Sequence, residues 1–380
     1  MRSGFVIGDR VLGASGDTHP DWMVGHGVAG SYLVAGASAV GQIHLARGLP
    51  RDDAFVVRTA GPWLAVGMSD GIGSRPASRY GATYVAEALT SFLIRPFVPQ
   101  VSPERSQVAA ATGPAEGVQP APPAKAEMPR LESLARKGST TTGLAAYLTE
   151  WTRRSTEEQS PSYPPEPLLQ AASVGWWAAQ SAMGSDEPPA EANLVQVMNQ
   201  AFEKSHLGLR GHAQYLGVDL ADLGCTALAL LFNVETGEGV VGQVGDGSVH
   251  GLFRSGKARE LVDAPDTGDP QSTYSLNRPD FAKALAVQVI SKVEVDPLVA
   301  IFVMTDGLSG DLLYSPHPEA LDNWAQAVDR NLRLAPSPAQ AAAGMLNWLA
   351  TYQVRGSWDD RTLVVITQRE RNDGDSHTSS

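Results

Sequence analysis

The sequence is short of cysteine, of basic residues and of long apolar runs, and each shortage removes a class of protein. A single cysteine, Cys225, stands among 380 residues, so neither an intramolecular disulfide nor a thiolate metal cage can form. Lys and Arg number 29 against 41 Asp and Glu, a net charge of -12. Nucleic acid would need a basic face and counterion release, so none is expected as a partner. No stretch reaches the roughly 18 apolar residues of a membrane span. Asp9 and Arg10 interrupt the N-terminus before a leader-length apolar run develops. The expectation is a cytoplasmic chain with no membrane contact. Also missing are the Gly-x-x-x-x-Gly-Lys-Ser/Thr loop that cradles nucleotide phosphates and the His-Glu-x-x-His zinc helix.

What is present suffices for a sizeable core, since 43% of the residues are hydrophobic. Residues 1–30 are rich in Gly, His and Asp without periodicity and read as an N-terminal extension. Alternation begins near Ser31 and continues in short runs at 55–58 and 64–68. Ala82, Val85, Ala86, Leu89, Phe92 and Leu93 then recur at helical spacing and stop before Pro96. Residues 96–130 hold eight prolines, a composition that reads as a flexible spacer. A second Pro-rich break covers 160–167, after a helical pattern over 131–153. Helices are expected near 168–183 and 190–208, and strands over 225–234, 239–245, 248–254, 285–295 and 299–304. Helical patterns near 318–332 and 338–352 precede a last strand at 362–366, and 369–380 read as a disordered tail. This order lacks the strict alternation of a parallel βαβ sheet. It predicts an α+β fold, an antiparallel β-sandwich flanked by helices on both sides, in four αββα layers, over 31–368.

The chemistry lies at strand ends. Apolar runs stop in Asp-Gly at Asp70, Asp246 and Asp306, and the pair Asp359-Asp360 precedes the final strand. An aspartate just past a buried strand is held rigidly, and a following Gly permits close backbone approach. A single Asp-Gly is most often a turn. Several converging on one cleft would repel one another at a cost of several kcal/mol unless hard, oxygen-seeking cations such as Mg²⁺ or Mn²⁺ compensate them. Cys225 sits inside an apparent strand and reads as a core residue.

An ordered set of motifs resembles the metal-dependent protein phosphatase (PPM, protein phosphatase 2C-like) family in its bacterial-type branch. The set comprises Gly36-Ala-Ser-Ala-Val-Gly41, His44, Gly48-Leu-Pro-Arg-Asp-Asp-Ala-Phe55, Ser69-Asp-Gly-Ile-Gly73 with Gly81, and Gly224-Cys-Thr-Ala227. Val244-Gly-Asp-Gly247, Ser272-Thr-Tyr-Ser-Leu276, Met304-Thr-Asp-Gly-Leu308 and Gly356-Ser-Trp-Asp-Asp-Arg-Thr-Leu-Val-Val365 complete it. The resemblance implies two divalent cations, Mn²⁺ or Mg²⁺, bridged by Asp70. One would be bound by the Gly71 carbonyl, the other completed by Asp306 and Asp359, with Asp53 in or beside the ligand set and Asp52 nearby. Asp246 falls at a position read as structural or outer to the metals. Paired cations roughly 3.5–4 Å apart lower the pKa of a shared water, so that hydroxide can attack a phosphomonoester.

The chain departs from the family's pattern at three places. Many relatives carry a His two residues after the first metal Asp, where this chain has Ile72; His44 is the candidate substitute as acid. The phosphate-binding Arg is out of register, leaving Arg47 and Arg51 as alternatives. Gly310 stands where relatives place a further Asp for a third metal. The implied activity is hydrolysis of phosphoserine and phosphothreonine in a protein, with a cognate serine/threonine kinase or its targets as partner. The alternatives are a catalytically weak regulatory binding module and a hydrolase of a small phosphoester.

Overall fold

The computed structural model describes residues 6–11, 20–97, 193–263, 273–292, 295–313, 319–351 and 358–369. The helices expected over 131–153 and 168–183, the Pro-rich segment 160–167, all of 96–130 but its first two residues, and most of the C-terminal tail lie outside these residues. Among the described residues twelve strands pair antiparallel throughout. They are β1 (Val6–Val11), β2 (Pro20–Ala29), β3 (Tyr32–Ala39), β4 (Ala54–Ala60), β5 (Trp63–Ser69), β6 (Ala227–Asn233), β7 (Gly239–Val244), β8 (Ser248–Phe253), β9 (Ala258–Glu260), β10 (Ala286–Ile290), β11 (Leu298–Met304) and β12 (Arg361–Gln368). A seven-stranded sheet runs β1-β2-β3-β12-β11-β8-β9, and a five-stranded sheet runs β10-β7-β6-β5-β4.

The helices are α1 (Gln42–Arg47), α2 (Ser78–Ile94), α3 (Leu194–Leu216), α4 (Asp306–Leu313), α5 (Ala320–Leu334) and α6 (Pro338–Thr351). Three apolar layers separate four layers of structure. Between the sheets lie Phe55, Val66, Leu230, Val241, Val303 and Val364. The outer face of the smaller sheet packs on α2 and α3 through Val85, Leu89, Met198 and Phe202. The outer face of the larger one packs on α5 and α6 through Phe302, Ala325, Met345 and Leu346. This is the α+β, four-layer αββα arrangement that the pattern predicts.

Alternation produces it, because successive strand residues serve different layers. In β11, Ile301 and Val303 point between the sheets, while Ala300, Phe302 and Met304 point at the helices. With both faces covered, strands such as β6 and β12 are buried along nearly their whole length, which is why they read as continuous apolar runs.

Pattern and structure differ at several places: β1 and β2 join the larger sheet where 1–30 read as an extension, α1, β9 and α4 carry no expected signal, and α3 is longer than its pattern. Alternation was expected to begin near Ser31, but β2 spans Pro20–Ala29 and pairs along its length with β3, from Trp22 opposite Ala39 to Ala29 opposite Tyr32. Its glycines and histidine conceal the strand signal, and pairing together with burial of Trp22 and Val24 compensates for them. The helix expected near 190–208 runs to Leu216. Ser205, His206, Gly208 and His212 interrupt its apolar face in sequence, yet His206 Nδ1 bonds the Leu276 carbonyl at 2.7 Å and His212 stacks on Tyr84. Asn193 caps the start through the Val195 and Gln196 amides, and Gly217 in the left-handed region ends it.

Candidate metal centre

Asp70 follows the last residue of β5, and the chain beyond it stays extended. Thr226 N–H donates to the Asp70 carbonyl (2.8 Å), Ile72 N–H to the Gly224 carbonyl (2.9 Å), and Asp70 N–H to Thr226 Oγ1 (2.9 Å). The segment 224–226 thus clamps the loop that carries Asp70. Gly71 is required by closeness of backbone: a Cβ there would lie 2.9 Å from the Asp52 carbonyl oxygen. Gly307 is tighter still, its Cβ position falling 1.9 Å from the Asp360 carbonyl oxygen. The glycines after the strand-end aspartates therefore let neighbouring segments meet.

One carboxylate oxygen from each of Asp70, Asp246 and Asp306 lies within 4.8 Å of the others. Asp246, expected outside the metal ligands, thus shares a cluster with two expected ligands, and Thr273 Oγ1 donates to its Oδ2 at 2.6 Å. The signal was in the sequence, since Val244-Gly-Asp-Gly247 ends an apolar strand just as the other two motifs do. Burial pushes Asp70 well above the usual carboxylate range, with the charges of Asp53, Asp306 and Asp359 adding to it. Asp306 is pushed up to about 6, first by burial and then by Asp246. Asp359 has an exposed edge, yet enclosure of its carboxyl raises it too, against the hydrogen bond from Asp360 N–H.

Asp53 is fully buried at the head of β4. Its Oδ2 accepts from Thr305 Oγ1 (2.9 Å) and Thr362 Oγ1 (2.6 Å), which joins the smaller sheet to the ends of β11 and β12 in the larger one. Its Oδ1 takes no hydrogen bond. Burial raises its pKa, with Asp360 as the next cause. Facing carboxylates, with Asp70, Asp306 and Asp359 pushed toward protonation, and a buried Asp53 oxygen without a donor fit divalent cations: the ligand atoms are hard oxygens and the missing partner is positive charge.

The remaining expected residues fall around this cluster. His44 is buried on α1, with Nδ1 3.0 Å from Asp360 Oδ2 and Nε2 3.8 Å from Asp52 Oδ2. The Asp360 hydrogen bond, partly opposed by burial, pushes His44 up to about 9. Asp52 is pushed up to about 6 by burial. Arg47 ends α1 and is exposed. Arg51 corrects the expectation of a phosphate-contacting loop charge. It is 1% exposed, and its Nη1 donates to Ser38 Oγ at 2.7 Å and to the Asp53 carbonyl. Cys225 is fully buried with its thiol pushed up to about 12 by burial, as a core residue should be.

The family model of protein phosphatase 2C matches residues 40–154 and 170–350. Compared by sequence with curated proteins, the chain has no match. Among solved structures it is similar to a sex-determining protein of C. elegans, at 12% identity and a TM-score of 0.46, over 88% of this chain and 64% of that one. It is similar to the serine/threonine phosphatase PstP/Ppp of Mycobacterium tuberculosis, at 13% and 0.40, over 89% and 99%. It is also similar to the serine-threonine phosphatase 2C of Toxoplasma gondii, at 11% and 0.44, over 96% and 99%. These structural likenesses are distant, and the assignment rests instead on the family model, which spans well over half of the sequence and includes Asp53, Asp70, Asp246 and Asp306. By that match the chain belongs to the protein phosphatase 2C family.

Proposed function

We propose that this chain is a Mn²⁺- or Mg²⁺-dependent phosphatase that hydrolyses phosphoserine and phosphothreonine in a protein substrate. The observation that carries the reading is the convergence of Asp70, Asp246 and Asp306 within 4.8 Å. Asp70, Asp246, Asp306 and Asp359, with the Gly71 carbonyl, are the groups we assign to two cations. Asp53, its Oδ2 held by Thr305 and Thr362, keeps Oδ1 in or beside this ligand set. When bound, the cations supply positive charge for the phosphoryl oxygens and an acidified water as nucleophile.

The chain's own residues do the rest. The clamp at 224–226 fixes Asp70. No protein nucleophile is required, which agrees with the inert burial of Cys225. Arg47 is the exposed cation we assign to the substrate phosphate. The kinase that phosphorylates the substrate, or one of that kinase's targets, is the partner class the reading implies.

A second reading, a regulatory module with little turnover, is favoured by one observation: the Ile72 methyl group packs 3.2 Å from the Cβ position of Gly224, where many relatives place an acid. Hydrolysis of a phosphothreonine peptide with Mn²⁺, Mg²⁺ or chelator separates the two. Turnover with either cation and none with chelator is expected. Folded, Mn²⁺-bound protein that hydrolyses nothing would establish the module instead.

A further inference from the structure

We propose that Asp360 is a positioning residue of this site, holding the His44 imidazole so that Nε2 faces the Asp70–Gly73 loop and donates the proton to the leaving oxygen. This rests on the phosphatase reading. Asp360 is 2% exposed and stands outside the converging carboxylates. Its oxygens are occupied by donors: Gly41 N–H at 2.6 Å and His44 Nδ1 at 3.1 Å on Oδ1, Asp52 N–H at 2.6 Å and His44 Nδ1 at 3.0 Å on Oδ2.

A carboxylate on Nδ1 fixes which edge of the ring is presented. The other edge, Nε2, lies 3.8 Å from where a Cβ on Gly73 would stand, three residues beyond Asp70. The approach is locked from several sides. A Cβ on Gly41 would lie 2.3 Å from the Asp359 backbone, and the Leu49 and Gly48 amides close the end of α1 on the His44 and Leu45 carbonyls. A side chain on α1 thereby reaches the loop in which Ile72 offers no proton.

The charged groups around the ring are Asp360 and Asp52 in contact, Asp359 beyond them, and Arg79, whose Nη1 is 3.9 Å from Asp52 Oδ1. Carboxylates outnumber the cation around the ring. In the step, the ester P–O bond breaks with its electron pair on the ester oxygen, which takes the Nε2 proton. Water oxygen forms the new P–O bond, keeping one proton on the phosphate product and releasing the other to solvent, from which the imidazole is reprotonated. A backbone clasp alone would need only an acceptor at 360. Proton donation through His44 additionally makes the rate depend on the leaving group.

The test compares an activated aryl phosphate with a phosphothreonine peptide, whose alkoxide leaves poorly. His44→Gln is expected to lose about 100-fold in kcat on the peptide, at least about tenfold more than it loses on the aryl phosphate. Asp360→Asn, which removes the carboxylate's charge and one of the two acceptor oxygens facing Nδ1, shows the same split. The double variant is then no worse than either single one, as expected of residues acting as a unit. Equal losses on both substrates, or a parallel loss of Mn²⁺ affinity by calorimetry, overturn the proposal. Should Asp360→Asn fail to fold, Asp360→Glu replaces it, and full peptide activity there also overturns it. Wild-type protein that binds Mn²⁺ and hydrolyses neither substrate would instead remove the phosphatase reading beneath it.

Discussion

Two acidic neighbourhoods adjoin at the head of β12 and are built on opposite terms. Asp360 is surrounded by donors, two backbone amides and an imidazole, which satisfy its charge within the protein. Around the preceding residue, Asp70, Asp246 and Asp306 face one another, and the causes that raise Asp70 include three other carboxylates, Asp359 among them. A carboxylate whose donors are internal is a fastener. Carboxylates whose nearest neighbours are carboxylates are incomplete without an external cation. The two neighbourhoods should therefore respond oppositely to substitution.

The largest separation is expected from Asp306→Ala. Loss of a cation ligand should lower Mn²⁺-dependent aryl phosphate hydrolysis by about 10³-fold or more. The metal-free melting temperature should hold or rise, because one repelling charge is gone. A fall in the metal-free melting temperature would show Asp306 to be a fastener as well.

Asp360→Ala should do the reverse to stability. It strands the His44 charge and two buried amides, a loss of about 3–5 kcal/mol by urea denaturation. A loss below about 1 kcal/mol, within the usual range for a surface substitution, would mean that water replaces the carboxylate easily.

Metal-free protein should also become less stable as pH rises. Asp306 is raised from 3.8 to about 6, and Asp53 and Asp70 are raised as well. The folded state thus binds more protons than the unfolded chain, and stability falls as pH climbs from about 4 through these values. His44, raised from 6.5 to about 9, stabilises fully below 6.5 and loses its contribution as pH passes 9, so it acts in the same direction. Melting curves between pH 5 and pH 9, with and without Mn²⁺, check this, and the stabilisation by Mn²⁺ should grow with pH. A flat metal-free profile would mean that these carboxyls titrate normally.

The smallest effect is expected from Asp246→Asn, about a tenfold loss of Mn²⁺ affinity by calorimetry, with the fold intact. Unchanged affinity would return Asp246 to the outer position suggested by the family resemblance.

Much of the architecture was legible because burial on both faces leaves a strong trace. β6, β7, β11 and β12 are nearly continuous apolar runs, and Gly237 and Gly256 take the left-handed conformation their turns require. β2 was not legible, because its Gly and His are compensated by partners distant in sequence. The strand-end aspartates were visible one at a time. Their convergence was not, since it depends on how β5, β7 and β11 are placed across two sheets.

By itself the sequence determined the strands from β3 onward that are buried on both faces, the helices α2, α3, α5 and α6, the single inert thiol, and the repeated Asp-Gly endings, because these follow from local periodicity and residue chemistry. Tertiary structure alone decided that Asp246 joins Asp70 and Asp306, that Arg51 is buried against Ser38 and the Asp53 carbonyl, and that Asp360 grips His44 from 316 residues away. Contacts between sheets carry no sequence period, and whether a carboxylate fastens or repels depends on which donors the fold brings to it.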